Sequence, residues 1–362
     1  MNLRIPGPIP VPNNILEAMA TPMINHRGLE FADLLKKVTA GLKQVFQTEN
    51  DLYILTASGT GAMEASIVNT LSPGDNVLSA SVGVFGDRFG DIASIYGAQV
   101  ETIKSPAGKG IEPNTIRESL KKNPKIKAVL VVHNETSTGV TNPLPEIAKI
   151  VKNEFNKILL VDGISSVGSI PLKTDLLGCD VVATASQKGW MLPPGLAFLS
   201  FSQNAWEAHK ISKMPKFYFD IANYEKYLKI KQPPFTPALS IMFSLDIALT
   251  QILDEGIENV FKRHFNIAEA TRNGIENIGL ELFADKNVTS NTVTSVKIPD
   301  NVDGKLLLST MREKHNIILA GGQQELSGKI FRIGHLGLCT YEEINDVIEA
   351  LKKSLPECKL AS

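Results

Sequence analysis

The chain has 362 residues, 43% of them apolar and 21% charged, and a formal net charge of -1. That length and composition suit one large globular domain with a smaller companion, and they exclude a fibrous or low-complexity chain. Lysine and glutamate are mixed along the chain, so no long-range field draws in nucleic acid or an anionic membrane, and neither is an expected partner.

The first residues, Met1 to Pro8, lack the apolar core of a secretory signal, and no apolar run approaches a membrane span. Pro6, Pro8, Pro10 and Pro12 keep the arm over residues 1–15 extended. A helix is expected from Phe31 to Phe46, with Leu34, Leu35, Val38, Leu42 and Val45 on one stripe. Strand-like runs follow at Leu52–Leu55, Asn76–Ala80, Gln99–Ile103, Ala128–Val132, Ile158–Val161, Val181–Thr184 and Leu196–Phe201, most of them separated by helical stretches. Short apolar strands alternating with helices predict an α/β domain whose mostly parallel sheet is buried on both faces. Residues 203–240 show no clear period. A long helix is expected from Ser240 to Leu253, continuing past Gly256 towards Ile278. Strand, helix, strand, helix over Val293–Ile298, Gly304–Lys314, Phe331–Ile333 and Tyr341–Ser354 then predict a small α+β domain. The expected division is an arm over 1–15, a large domain over 16–255 and a small one over 256–362. Cys179, Cys339 and Cys358 form no C-x-x-C pair. That spacing predicts no disulfide framework and no metal site, and a reducing, cytoplasmic setting.

Four segments carry chemistry. In Ala185-Ser186-Gln187-Lys188-Gly189-Trp190, a lysine stands just beyond an apolar strand. Desolvation there favours the neutral amine, the form that makes a Schiff base. An ordinary solvated loop lysine is the plain alternative. Asp162 ends the strand Ile158-Leu159-Leu160-Val161. Ligands of open α/β sheets sit at such strand ends, and a carboxylate there can pair with a protonated pyridine nitrogen. Alone it reads equally as a helix cap. Thr56-Ala57-Ser58-Gly59-Thr60-Gly61-Ala62 leads from a strand into a helix, whose first N–H groups suit an anion. It is neither a dinucleotide fingerprint nor a Walker loop, so a small phosphorylated cofactor fits better than a nucleotide. Arg332, inside the apolar run Ile330-Phe331-Arg332-Ile333, needs either a structural carboxylate or a substrate carboxylate to hold.

Taken with Pro6-Gly7-Pro8, Ile24-Asn25-His26-Arg27, His133-Asn134-Glu135-Thr136-Ser137-Thr138-Gly139 and Asp162-Gly163-Ile164-Ser165-Ser166, these segments resemble the class V aminotransferases of pyridoxal-phosphate fold type I. The likeness is greatest to the alanine–glyoxylate and serine–pyruvate group, and it covers essentially the whole chain. It implies pyridoxal 5′-phosphate as cofactor, Lys188 as the Schiff-base residue and proton carrier, and Asp162 as partner of the pyridinium. It further implies Thr60, Gly61, Ala62 and Gln187 at the phosphate, Phe85 stacked on the ring, Thr136 at the ring oxygen and Arg332 on the substrate carboxylate. Thr236 would reach the phosphate of a neighbouring subunit, which implies a homodimer with shared sites. Phe85 stands where many relatives have tryptophan, Ala62 where many have histidine, and Pro233 where some have tyrosine. His133 and Glu135 read as structural. Trp190, Trp206, Phe217, Tyr218 and Phe219 read as core or interface.

The resemblance implies ping-pong transfer from alanine or serine to glyoxylate or pyruvate, since no second cationic clamp for a dicarboxylic donor is evident. Aminoethylphosphonate–pyruvate and ureidoglycine–glyoxylate aminotransferases share the same motifs. A non-catalytic accessory subunit retaining the fold is the reading from a different class.

Overall fold

The computed structural model describes residues 1–360. All seven expected strands of the large sheet are present. In chain order the strands are β1 (Asn2–Arg4), β2 (Asp51–Leu55), β3 (Asn76–Ser81), β4 (Gln99–Lys104), β5 (Ile126–Val132), β6 (Asn134–Glu135), β7 (Val140–Thr141), β8 (Ile158–Asp162), β9 (Val181–Ala185), β10 (Ala197–Phe201), β11 (Val293–Lys297), β12 (Ile317–Gly321) and β13 (Ile330–Gly334).

The large sheet has the order β2-β10-β9-β8-β5-β3-β4. Only β10 runs against the rest, being antiparallel to both β2 and β9. Successive residues of the central strands enter two different cores. Leu78, Val129, Leu159 and Val182 pack on one face with the helices Leu29–Phe46 and Leu239–Glu255. Val77, Leu130, Leu160 and Ala183 pack on the other with the helix Gly59–Thr70. Both faces are covered, which is why these strands read as continuous apolar runs.

A consequence for the site follows from strand direction. The carboxyl ends of β2, β3, β5, β8 and β9 lie along one edge of the sheet, and the segments that leave them carry the motifs around Thr60, Phe85, Thr136, Asp162 and Lys188.

The smaller sheet has the order β1-β12-β13-β11, with β1 parallel to β12. Its core includes Leu307, Phe331, Ile333, Val347 and Leu351. The N-terminal arm thus supplies an edge strand to a sheet otherwise built from the C-terminal third. Arg4 is buried there against Glu343, at 2.9 Å.

Two expectations need correction. The long helix is broken at Gly256 into Leu239–Glu255 and Ile257–Asn277, because Gly256 takes φ +81°, a left-handed value that no helix contains. The stretch 203–240 contains two helices, Gln203–Ile211 and Ile221–Leu228, capped by Ser202 and Asp220. Each buries only two residues, too few to show as a stripe in the sequence.

Candidate active site

A cavity of about 220 Å³ opens at the carboxyl edge of the large sheet, and Thr60, Phe85, Thr136, Asp162, Gln187 and Lys188 line it together. Gly7, Ser58, Gly59, Met63, Arg88, Asn134, Ile164 and Ser165 complete the wall.

The Gly-rich turn is shaped by close packing. A Cβ on Gly59 would lie 2.6 Å from Ile164 Cδ1 and 3.2 Å from Ala185 Cβ, so a larger residue would push Ile164 aside and press on β9, and glycine lets the helix Gly59–Thr70 sit close to that strand. Ser58 caps that helix, its Oγ accepting from Gly61 N–H at 3.4 Å. Ala62 is fully buried and its N–H donates to Ser58 O. Ala62 therefore stands behind the wall, and the half-buried Gly61 does not line it. The N–H groups of Gly59 and Thr60, the first two of the helix, have no carbonyl to bond within it.

Lys188 is 9% exposed and donates to Pro6 O at 2.6 Å. Burial lowers its pKa to about 8, with Asp162 raising it and Arg332 lowering it further. Asp162 Oδ1 accepts from Ile164 N–H at 2.8 Å. Burial raises its carboxyl pKa to about 7 against that bond. Gln187 keeps a buried Oε1 with no partner.

Phe85 is carried on the helix Val84–Ile95. Glu135, fully buried, holds the start of that helix: one oxygen accepts from Phe85 and Gly86 N–H and the other from Ser137 N–H and hydroxyl. Burial pushes its carboxyl pKa up against those bonds. His133 is buried, off the wall, and lowered by desolvation to about 4, so it is neutral. Both residues act structurally here. Trp190 is core, donating to Thr184 Oγ1, whereas Phe217 is exposed.

Arg332 is 5% exposed and stands beside the cavity without lining it. Its donors reach only carbonyls: Nη1 to Thr136 O at 3.0 Å, and Nε and Nη2 to Gly321 O at 3.1 and 2.8 Å. Among the described residues no carboxylate pairs with it, so the plain reading of a structural ion pair is set aside. Thr236 is exposed and off the wall of its own chain's cavity.

Of the wall residues outside the expected set, Gly7, Asn134 and Ser165 lay inside the motifs already singled out. Arg88 was missed; the signal that could have found it is its place one helical turn after Phe85, where spacing puts both on one face.

Fold and site define a class of protein. The family model described as aminotransferase class-V matches residues 14–347, and the chain belongs to that family, which uses pyridoxal phosphate. The crystal structure of an alanine–glyoxylate aminotransferase from Nostoc sp. superimposes with a TM-score of 0.94 at 35% identity, covering 98% of this chain and 94% of that one. A protein of Methanocaldococcus jannaschii called an uncharacterized aminotransferase is 43% identical over 98% of this chain and 92% of its own length. One called the small subunit of a soluble hydrogenase, from Synechococcus sp., is 42% identical over 98% and 93%. Other relatives include serine–glyoxylate and L-aspartate–glyoxylate aminotransferases. Among the described residues no helix is long and apolar enough to cross a membrane.

The residues present fit the cofactor. Among the described residues Asp162 is a buried carboxylate with no ion-pair partner, Gln187 brings to the wall a side-chain amide whose N–H groups can donate to an anion, and a helix N-terminus meets the cavity at Gly59 and Thr60.

Proposed function

We propose that the chain transfers the amino group of a small amino acid, alanine or serine, to glyoxylate or pyruvate by a ping-pong mechanism. The observation that carries this reading is Arg332: one buried guanidinium, bonded only to carbonyls, beside the cavity that Lys188 lines.

Bound pyridoxal phosphate supplies an aldehyde for amines and a ring that accepts electrons from the substrate α-carbon. The chain does the rest. Lys188, with its depressed pKa, offers a neutral amine at Nζ to hold the cofactor, then takes and returns a proton once the substrate amine has displaced it. Asp162 holds a proton at the ring nitrogen, which gives its buried carboxylate a cation. Thr60, Gln187 and the N–H groups of the Gly-rich turn take the phosphate, Phe85 stacks on the ring and Thr136 meets its ring oxygen. Arg332 takes the substrate carboxylate in its remaining N–H groups and sets the α-carbon before Lys188. Thr236, exposed and off the wall of its own cavity, completes the site of a second copy, so the working unit is a homodimer.

A non-catalytic role beside another enzyme is the reading suggested by the name of the Synechococcus relative. The assembly of Lys188, Asp162 and Gln187 around one cavity, with Arg332 unpaired beside it, favours catalysis.

The test is the visible spectrum of the purified protein with L-alanine, L-serine and L-aspartate in turn, then glyoxylate. Loss of the cofactor's visible band with alanine or serine, and its return with glyoxylate, supports the proposal. An aspartate response equal to theirs would overturn the choice of donor. A band indifferent to all three would move the substrate to an aminophosphonate or ureidoglycine. A colourless protein that takes up no cofactor would leave the accessory role.

A further inference from the structure

One cation on the cavity wall has no role in that scheme. Arg88 is half-buried on the helix Val84–Ile95. Its guanidinium carbon lies 4.9 Å from the centroid of the Phe85 ring, and Nη1 donates to Thr60 Oγ1 at 3.4 Å. Its chain neighbour Asp87 pairs with Lys104 instead, at 3.0 Å. Arg88 makes no ion pair with a carboxylate among the described residues, although Asp162, on the same cavity wall, is near enough to feel its charge.

A guanidinium drawn partly out of water wants an anion. Here its surroundings say where that anion sits. The cation–π contact with Phe85 holds the guanidinium over that ring. The contact with Thr60 brings it to the first turn of the helix Gly59–Thr70, whose N–H groups and dipole favour the same charge. The free N–H groups of the helix Gly59–Thr70 and one arginine, carried on the next helix, thus converge on one part of the cavity, while the first N–H groups of the helix Val84–Ile95 are already held by Glu135.

We propose that Arg88 binds the phosphate of the cofactor together with Thr60. This rests on pyridoxal phosphate occupying the cavity. The same chemistry, an anion beside a guanidinium, could come from the second carboxylate of a dicarboxylic amino acid, and the test separates the two. If Arg88 is committed to phosphate, Arg332 is the cation that the described residues of this chain leave for the substrate, in keeping with a donor that has a single carboxylate.

The experiment titrates cofactor-free protein with pyridoxal phosphate and with pyridoxal, which has the same ring and aldehyde but no phosphate. Wild type, Arg88→Gln and Arg88→Lys are compared, with circular dichroism to establish that each is folded. Arg88→Gln should raise the dissociation constant for pyridoxal phosphate roughly ten- to a hundredfold, the loss of a hydrogen bond to a charged group, and leave pyridoxal binding unchanged. Arg88→Lys should recover part of the loss. Equal weakening of both compounds would mean that Arg88 only supports Phe85, and would overturn the proposal. So would unchanged pyridoxal phosphate affinity with a KM raised for L-aspartate but not for L-alanine, which would assign Arg88 to a substrate carboxylate. A wild-type protein that takes up no pyridoxal phosphate would sink the cofactor reading itself, whereas Arg88→Gln binding as tightly as wild type would sink this inference alone.

Discussion

Lys188 faces two opposing demands, since a nucleophilic amine must be uncharged and a buried amine is easily left without a partner. The chain meets the first by burial, which brings the pKa to about 8, and the second by the Pro6 carbonyl at 2.6 Å. The rate at which cofactor-free protein captures pyridoxal phosphate should therefore rise with pH through about 8 and level off above it, because only the deprotonated amine attacks. Stopped-flow absorbance checks this, and a rate still climbing steeply past pH 10 would show that Lys188 keeps an ordinary pKa. At Arg332 the demand is for a carboxylate that the chain does not supply. Arg332→Ala should lower kcat/KM for the amino donor by roughly a hundredfold or more, the loss of a bidentate charged contact. Cofactor occupancy, read from the visible band, should stay near that of wild type. Unchanged substrate affinity would remove Arg332 from the site.

At the scale of elements, the placement of side chains depends on how helices begin and end. Gly256 ends one long helix and starts the next with φ +81°. Gly256→Ala should destabilise the protein by about 1–2 kcal/mol, the cost of forcing a β-carbon into a left-handed conformation. Urea unfolding measures it, and no loss would mean that the two helices can merge. Both flank the sheets: Leu239–Glu255 packs on the large-sheet core, whereas Ile257–Asn277 begins on that core with Ile257 and Val260 and reaches the small-sheet core with Ile267 and Ile275. The second helix therefore bridges the two cores.

Across the whole molecule, buried titratable groups oppose one another. His264 lies inside the small domain, one ring nitrogen 2.8 Å from Val260 O and the other accepting from Gly337 N–H. Burial, with Arg263 adding to it, lowers its pKa to about 4. The unfolded chain protonates it below about 6.5 and the folded chain only near 4, so its contribution is intact above pH 6.5 and is lost as pH falls towards 4. Asp162 and Glu135, raised by burial, work in the opposite sense over part of that range. The readable quantity is thus a difference. The stability gap between wild type and His264→Gln, from urea unfolding, should narrow by a few kcal/mol between pH 7 and pH 4.5. A gap independent of pH would mean that His264 titrates normally.

The sequence by itself determined the seven strands, the helix around Leu35 and Leu42, the small α+β unit and the residues worth watching, because burial on both faces writes continuous apolar runs and a lone charge in such a run marks its own cost. It determined less wherever the cause was non-local. The short helices at Gln203–Ile211 and Ile221–Leu228 bury too little to leave a period, and the pairing of Asn2–Arg4 with β12 is a contact across the length of the chain. Packing across the fold puts Ala62 behind the cavity wall, gives Arg332 carbonyls and no carboxylate among the described residues, and brings Arg88 to Thr60. Each of these depends on which strand ends adjoin and how closely a helix approaches its sheet, and distances of that kind are set by packing and not by spacing along the chain.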